Sequence, residues 1–252
     1  YQTAFQMPHG RAGGWPLTMF LTHDDQMPFV GGTYFPKTAR YGMPAFTDIL
    51  RRVSGHYRQH RRELGEQHRA LLEALRADVG AAADDARDLS ADPLRAARDQ
   101  LVGSFDPVHG GFGGAPKFPH PTGLELLLRG WAASVRRGEP DRQAETTALF
   151  TLRKMALGGI YDQLGGGFFR YSVDAEWQIP HFEKMLYDNG PLLALYAQAW
   201  RATQDPLFRA VAEETGAWVM RDMQAPDGGY FATLDADSDG EEGKFYLWTL
   251  DQ

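Results

Sequence analysis

The chain contains 252 residues, of which 43% are hydrophobic and 12% aromatic, enough to fill one large core or two smaller ones. Its 33 acidic and 26 basic residues give a net charge of −7, so neither nucleic acid nor an anionic membrane surface is expected as a partner. Because cysteine is absent, these residues exclude disulfides, thiolate metal sites and a cysteine nucleophile.

Neither a membrane-spanning run nor a secretory signal is seen in these 252 residues. No apolar run reaches the roughly 18 residues that cross a bilayer, and no basic segment followed by an apolar one opens the chain. We therefore expect a cytoplasmic protein. The first residue is Tyr1 rather than Met, and the last eight residues, FYLWTLDQ, form a strand-like run. These ends lead us to expect a fragment of a longer protein.

The first part of the chain predicts a β-hairpin followed by helices. Aromatic and β-branched runs at 17–21 and 29–34 flank a polar turn, which is typical of two antiparallel strands. Trp15-Pro16 precedes them, and proline at a strand entrance indicates either a rigid turn or a cis peptide bond. Apolar residues at helical spacing then predict helices over 46–57 and 64–79, with a break near Gly55 to Gly65. His68, on the second helix, is expected to be a core or boundary histidine.

A change of composition divides the chain. The stretch 80–92 is small and acidic, which predicts a linker with a domain boundary near residue 85. We therefore assign residues 1–60 to one domain, 61–88 to a connecting helix and linker, and 89–252 to a second domain. Periodicity and capping residues predict helices in the second domain at 93–103, 122–136, 144–157, 181–200 and 206–223.

Glycine-rich loops recur between these helices. An aspartate precedes Gly-Gly-aromatic at 106–112, at 162–168 and at 227–230. The aromatic residues lie about 60 residues apart, and each period holds about two helices, which is typical of a toroid or solenoid of α-hairpins.

The segment 158–189, GGIYDQLGGGFFRYSVDAEWQIPHFEKMLYDN, is too polar and glycine-rich to be simple core, and it is the leading candidate site. A helix beginning near His181, kinked or divided by Pro191, would bring acid, base and hydroxyl groups into neighbouring sectors. Such a set is suited to proton transfer on a sugar, beside a carbonyl or at a glycosidic bond. The candidate acid/base residues are His181, Glu183, Asp188 and Asp174, and the candidate substrate-binding residues are Arg170, Tyr171, Trp177, Lys184 and Tyr187.

A structural interpretation stands beside the functional one for each residue. His181 would then cap the helix, Glu183 and Lys184 would be surface charges, and Arg170 would form a loop-fixing ion pair with Asp174. For the cluster as a whole, the sequence favours a polar pocket.

An acidic stretch further along matches half of a metal loop. Asp235, Asp237 and Asp239, followed by Gly240, fit the start of a calcium-binding loop. The twelfth position is Tyr246, where a glutamate is required. An acidic turn is therefore preferred over a metal site, and its carboxylates are alternatively expected to line the mouth of the same pocket. No cofactor is implied.

Four motifs point to a known family: GGWPLTMFLTHDDQMPFVGGTYFP at 13–36, GGFGGAPKFPHP at 110–121, the segment 158–189, and DGGYFATLDADSDGEEGKFYLW at 227–248. They resemble the thioredoxin-domain-containing proteins similar to spermatogenesis-associated protein 20. The resemblance implies an α+β chain, in which the C-terminal half of a thioredoxin-like domain precedes a mainly α, partial (α/α)6 six-hairpin toroid, similar to those of glycosidases and sugar epimerases.

The same resemblance bears on individual residues. It implies that Trp15-Pro16 matches the cis-proline turn that faces a dithiol in thioredoxin-like folds, and that a Cys-x-x-Cys segment lies upstream of Tyr1. Family members often carry histidine where this chain has Phe169, which removes one acid or base from a mechanism.

Three functions remain open from the sequence. The first is a carbohydrate-binding or carbohydrate-transforming protein, epimerase-like or glycosidase-like, with a small-molecule or carbohydrate ligand in the toroid. The second is a redox-linked binding or chaperone-like module, whose thioredoxin-like half contacts a protein partner. The third is a non-catalytic scaffold.

Overall fold

The structure, a computed structural model, describes residues 1–10, 13–80 and 90–249, with the backbone alone at 78–80. The chain forms two compact units, Tyr1–Asp88 and Leu89–Gln252. The predicted boundary near residue 85 lies outside the described residues, as does most of the predicted linker at 80–92.

The described part of the first unit contains a β-hairpin and three helices. Its elements are α1 (Gln2–His9), β1 (Thr18–Leu21), β2 (Pro28–Gly32), α2 (Phe46–Gln59) and α3 (Arg61–Gly80). The predicted hairpin is confirmed: β1 and β2 pair antiparallel, with Thr18 opposite Gly32 and an irregularity between Phe20 and Leu21. The break between the helices falls at His60, so the expected break from Gly55 to Gly65 is wrong in extent.

His68 lies in the interior of the first unit, as the pattern predicts. Its side chain is 8% exposed, and its Nδ1 is 3.8 Å from Asp25 Oδ2. Its Nε2 has no hydrogen-bond partner among the described residues. The expected core histidine is therefore confirmed, but only one of its two ring nitrogens faces a partner, so it is not fully satisfied.

The second unit is built mainly from α-hairpins. Its helices are α4 (Asp92–Gly103), α5 (Pro121–Arg136), α6 (Arg142–Ala156), α7 (Leu186–Thr203) and α8 (Pro206–Trp218), followed by a π-helical turn at Val219–Met223. Short two-residue strands lie in the long loops: β3 (Tyr171–Ser172), β4 (Pro180–His181), β5 (Lys184–Met185), β6 (Thr233–Leu234), β7 (Asp237–Ser238) and β8 (Glu241–Glu242).

Helix pairs pack side by side around one core. α5 packs on α6 and α7 on α8, while α5 also contacts α7 and α6 contacts α8. The core between them consists of fully buried side chains that include Leu124, Leu152, Phe168, Leu192 and Tyr196. Each hairpin thus buries its apolar face against the next one, as an array of α-hairpins requires.

Two of the short connections between paired helices contain a capping aspartate that also pairs with an arginine of another helix. Asp141 caps α6 by accepting from Ala144 N, and Arg98 of α4 donates to both carboxylate oxygens of Asp141 at 2.6 and 2.7 Å. Asp205 caps α8, and Arg153 of α6 pairs with that aspartate. Each cap therefore also ties its helix to the helix two places earlier in the chain, α6 to α4 and α8 to α6.

The helix predicted from His181 begins later, at Leu186. Residues 180–185 are extended, because β4 pairs with β3 and β5 pairs with β6. Their backbone groups are used in these pairs and cannot form helical hydrogen bonds. Pro191 lies within the first two turns of α7 and does not divide it.

Candidate functional site

A buried ion pair closes the second glycine-rich loop. Lys184 Nζ donates to Asp162 Oδ2 at 2.7 Å and to the Gly166 carbonyl at 2.8 Å, and the lysine side chain is 1% exposed. Asp162 Oδ1 accepts from the backbone N–H groups of Leu164 and Gly165. Burial by itself would raise the pKa of Asp162, but these donors lower it. Lys184 is therefore a structural cation, which corrects the prediction that it binds substrate.

The first glycine-rich loop contains the same pair. Lys117 Nζ donates to Asp106 Oδ2 at 2.7 Å and to the Gly110 carbonyl at 2.9 Å. Against the effect of burial, the lysine and the backbone N–H groups of His109 and Val108 lower the pKa of Asp106 to about 2. The repeated aspartate seen in the sequence is thus a loop-closing carboxylate. Its lysine partners were not predicted, because they lie at different separations along the chain.

A tryptophan packs on the last glycine of each of these loops. Gly111 and Gly167 have φ of +79° and +81°, and a Cβ at either would lie 2.5 Å from the Trp177 ring or 2.6 Å from the Trp218 ring. Trp177 is 0% exposed, and its Nε1 donates to the His109 carbonyl. The prediction that Trp177 stacks on a sugar is therefore wrong for this structure, because both its faces and its N–H lie in the interior.

The third loop diverges from the other two. Gln224 and Tyr230 bridge across it, but Asp227 Oδ1 accepts only from Gly229 N, at 3.2 Å. No buried lysine pairs with Asp227 in the part of the chain that the structure describes. The three loops share a glycine turn, and only the first two share the ion pair.

The extended segment 180–185 separates two surfaces. Side chains alternate along extended backbone, so His181 and Glu183 lie on one side and Phe182 and Lys184 on the other. Arg170, before β3, is fixed to this segment because its backbone N–H donates to the Glu183 carbonyl at 2.8 Å. The strand pairs therefore do what the predicted helix was expected to do, which is to bring these charged residues together.

The polar surface carries a chain of charge-assisted contacts. Arg170 donates to Glu183 Oε2 at 2.6 Å, and this hydrogen bond raises the pKa of Arg170. His181 Nε2 is 3.4 Å from the same oxygen, and its Nδ1 donates to Glu242 Oε1 at 2.6 Å. The Tyr171 ring stacks on the imidazole at 4.9 Å, which orients it. Glu242 comes from β8, so the expectation that the acidic loop reaches this site holds for one of its residues.

Asp188, in the first turn of α7, completes the polar surface. Burial raises its pKa to about 6, and the nearby Arg170 charge opposes this rise. Its carboxylate forms no hydrogen bond or ion pair with any described residue. Tyr187 beside it is 58% exposed and also raises the pKa of Arg170. Asp188 is therefore the carboxylate of this surface that is free to act on a ligand.

Asp174 has a different role from the predicted one. Its two oxygens accept from the backbone N–H groups of Glu176, Gln178 and Ile179 at 2.5, 3.2 and 2.5 Å. Burial by itself would raise the pKa of Asp174, but these hydrogen bonds lower it. The carboxylate holds the 174–179 turn and does not pair with Arg170, which corrects both the predicted catalytic role and the alternative ion pair.

The acidic stretch forms a hairpin. β7 and β8 pair across Asp239-Gly240, where both residues have positive φ, as a tight two-residue turn requires. Asp239 pairs with Lys244 at 3.2 Å, and Asp235 accepts from Asp237 N. Among the described residues, no group of three His, Asp or Glu is placed to hold a metal ion.

The opposite surface of the segment is aromatic. Phe169 is 3% exposed and meets Phe182 and Tyr246 edge to face. A cavity of about 760 Å³ lies here, and Lys184 Nζ is 4.9 to 5.1 Å from the rings of Phe169, Trp218 and Tyr246. Phe169 therefore packs around the buried cation and is not part of the polar surface.

In the first unit, the Trp15-Pro16 peptide bond is cis, which is the alternative that the resemblance implied. Trp15 is 80% exposed, and Gly14 N donates to Thr33 Oγ1 across the entrance of the hairpin.

Comparison with known proteins covers nearly the whole chain. A family model described as Thioredox_DsbH, a protein of unknown function (DUF255), matches residues 1–76. Spermatogenesis-associated protein 20 of Rattus norvegicus is 39% identical, and that of Homo sapiens 37% identical, over 94% of this chain. The resemblance to the spermatogenesis-associated protein 20 family is confirmed. The chain spans 31% of the length of both these relatives, and 35% of the uncharacterized protein B0495.5 of Caenorhabditis elegans, to which it is 36% identical.

Three solved sugar epimerases match part of this chain. Cellobiose 2-epimerase of Spirochaeta thermophila matches 59% of this chain and 42% of its own at 24% identity, with a TM-score of 0.46. The ruminal bacterium sugar epimerase (17% identity, TM-score 0.45) and the Bacillus thermoamylovorans cellobiose 2-epimerase (15%, 0.47) each match 57% of this chain and 40% of their own.

The α+β fold class is confirmed. A thioredoxin-like family model matches the hairpin and helices of the first unit, and the second unit consists of packed α-hairpins with small strands in the loops. None of the described helices is long and apolar enough to cross a membrane.

Proposed function

We propose that the helical unit binds a carbohydrate or similar polyol at the polar surface formed by Arg170, His181, Glu183, Asp188 and Glu242, and that Asp188 is its acid/base group. The observation that supports this most is the contrast between the carboxylates. Glu183 and Glu242 are held by Arg170 and His181, whereas Asp188 is half-buried and unpaired among the described residues.

This contrast favours proton exchange over glycoside hydrolysis. Hydrolysis uses two carboxylates placed on either side of the bond that breaks, and two of the three carboxylates here are engaged. Proton exchange beside a carbonyl needs one free base and donors for the developing oxyanion. Asp188, with a pKa of about 6, is largely ionised at neutral pH and is suited to that base.

The proposed reaction removes one proton from a sugar carbon and returns one to the same carbon. The Asp188 carboxylate takes the proton from the carbon beside the sugar carbonyl, and the C–H electron pair moves to form an enolate. The Arg170 guanidinium donates to the enolate oxygen. A protonated His181 imidazolium then gives a proton to the carbon on the opposite face, which changes the configuration. Asp188 releases its proton to solvent, and the neutral His181 takes one from solvent, so both side chains return to their starting states.

The test is solvent deuterium exchange. The 252-residue chain is incubated with a panel of reducing sugars in D₂O, and loss of the C2 proton signal is followed by NMR. We expect exchange with at least one sugar, a loss of 100-fold or more in Asp188→Asn, and no change in Asp227→Asn, a loop carboxylate outside the cluster. Equal exchange in wild type and Asp188→Asn contradicts the assignment, and no binding or exchange with any sugar favours a scaffold.

We keep a second function for the first unit, because the family model that matches it is thioredoxin-like. A redox-linked binding role would use thiols that these 252 residues do not contain. In a longer protein that contains them, replacing the cysteines should abolish partner capture and leave sugar exchange unchanged. Loss of sugar exchange on cysteine replacement would contradict the separation of the two roles.

A further inference from the structure

The His181 ring is held in place by side chains from two other segments of the second unit. Its Nδ1 is 2.6 Å from Glu242 Oε1, a short distance that is typical of a charge-assisted hydrogen bond. The Tyr171 ring stacks on the imidazole, with 21° between the two planes. The imidazole side chain is 24% exposed, so a ligand can reach only part of its surface.

The other ring nitrogen of His181 is left available to a ligand. Nε2 lies 3.4 Å from Glu183 Oε2, which is beyond the roughly 2.7–3.2 Å of an N–H···O hydrogen bond. That oxygen already accepts from Arg170 at 2.6 Å. Nε2 therefore makes no hydrogen bond with a residue that the structure describes, whereas Nδ1 does. Since the hydrogen bond of one ring nitrogen sets the role of the other, Glu242 leaves Nε2 as the nitrogen that acts on the site.

Glu242 lies at the surface, but the backbone beside it is fixed. Its side chain is 49% exposed, and an ion pair at that exposure contributes little to stability by itself. The next residue, Gly243, packs directly on the Phe182 ring, because a Cβ at this glycine would lie 2.5 Å from that ring. Gly243 N also donates to the Ala236 carbonyl, which closes the β7–β8 hairpin. Glu242 is thus anchored against the residue that follows His181.

We infer that Glu242 is a positioning residue, which fixes the His181 ring through Nδ1–H and makes Nε2 the atom that gives the proton to the enolate carbon. In that step the enolate π pair forms the new C–H bond, and the Nε2–H electron pair stays on the nitrogen. The imidazole is left neutral, and its remaining proton stays on Nδ1, donated to Glu242. This inference rests on the proposed function, because it assigns a role within the same step.

The test separates the two fates of the enolate. Glucose and the other reducing sugars of the panel are incubated with the 252-residue chain in D₂O, and NMR follows both the loss of the C2 proton and the formation of the C2 epimer, which is mannose for glucose. Return of a deuteron from Asp188, after that residue has exchanged with solvent, gives exchange alone, whereas delivery from His181 gives inversion. Because both products come from the same bound enolate, their ratio does not depend on how well the sugar binds.

The variants remove the carboxylate of Glu242 in two steps. The ratio of inversion to exchange should fall 10-fold or more in Glu242→Ala, and less in Glu242→Gln, which keeps an acceptor for Nδ1–H. Glu241→Ala is the matched control and should keep the wild-type ratio. Glu241 lies beside Glu242 on the same hairpin and is exposed, and its carboxylate forms no hydrogen bond or ion pair with a described residue.

A second measurement needs no sugar. Correlated ¹H–¹⁵N NMR locates the proton on the neutral His181 ring at high pH, and His181→Gln identifies the signals of that ring. In the wild type the proton should lie on Nδ1, because Glu242 accepts from it. In Glu242→Ala that preference should be lost.

Failure of the inference can be told apart from failure of the proposed function. Equal ratios in wild type and Glu242→Ala overturn the role of Glu242 and leave the proposed function intact. Exchange and inversion that fall together at a constant ratio also overturn it, since a purely structural role gives that result. A wild-type His181 that carries its proton on Nε2 overturns the positioning whatever the sugars show. No exchange with any sugar overturns the proposed function and, with it, this role of Glu242.

Discussion

Replacing Lys184 with methionine tests whether the buried ion pair holds the second loop together. The substitution keeps the length of the side chain and its contacts with the aromatic rings. It removes the donor to Asp162 and to the Gly166 carbonyl, at a side chain that is 1% exposed. Asp162, which is 13% exposed, would then carry a charge without its cation.

The expected loss follows from the environment of Asp162. Removing one partner of a buried pair costs about 3–5 kcal/mol. Asp162 keeps two backbone donors and some contact with solvent, so we expect the lower end, about 3 kcal/mol. With a urea m-value of about 2 kcal/mol/M, the midpoint of unfolding should fall by about 1.5 M.

The assay is urea unfolding at pH 7, followed by tryptophan fluorescence, because Trp218 packs beside the ammonium. Lys244→Met is the matched control, since that lysine is 49% exposed and pairs with an exposed aspartate. Exposed pairs contribute about 0–1 kcal/mol. A fall in the Lys184→Met midpoint no larger than that of Lys244→Met would refute the structural role. The double variant with Asp162→Asn should be more stable than the two single losses predict by addition.

Three further outcomes are expected. The pKa of Asp188 is about 6 in the folded protein, against an ordinary value of 3.8, so its contribution to stability is present below pH 3.8 and lost as the pH rises through 6. Asp188→Asn should therefore be more stable than wild type by about 1–2 kcal/mol at pH 7.5, allowing for solvent screening, with no gain at pH 4 in thermal melts. Gly167→Ala, which places a methyl 2.6 Å from the Trp218 ring at φ +81°, should cost about 2–4 kcal/mol in urea unfolding. Gly113→Ala, at φ +70° in open space, should cost only about 1 kcal/mol, and equal losses would contradict the steric argument. Tyr196→Phe removes a buried hydrogen bond to a carbonyl of α6 and should cost about 1 kcal/mol, which a calorimetric melt measures.

The helices of the second unit were largely predictable because their signals are local. Asp205 before Pro206 is a cap followed by a first-turn proline, and the structure has α8 beginning there. The helix predicted at 93–103 differs from α4 by one residue at its start. The failure at His181 has a long-range cause, because residues 180–185 pair with strands that lie before and after them in the chain.

The candidate site was likewise predictable from the sequence only in part. Its residue types were visible in one stretch of sequence, and six of the nine candidates lie close together in the structure, namely Arg170, Tyr171, His181, Glu183, Tyr187 and Asp188. Trp177 and Lys184 looked like ligand-binding residues because their chemistry suits that role. Burial assigns them to the core, and burial depends on packing by residues such as Gly111 and Asp162.

The sequence alone determined the repeat of glycine-rich loops, the β-hairpin, the α-hairpins and the chemical composition of the site, because each depends on neighbours within a few residues or on a repeated pattern. Only the tertiary structure decided which charges are paired. Lys184 meets Asp162 and Glu242 meets His181 across long separations in the chain, so no local spacing encodes these contacts. That Asp188 has no hydrogen-bond or ion-pair partner among the described residues became apparent only after those pairs were placed.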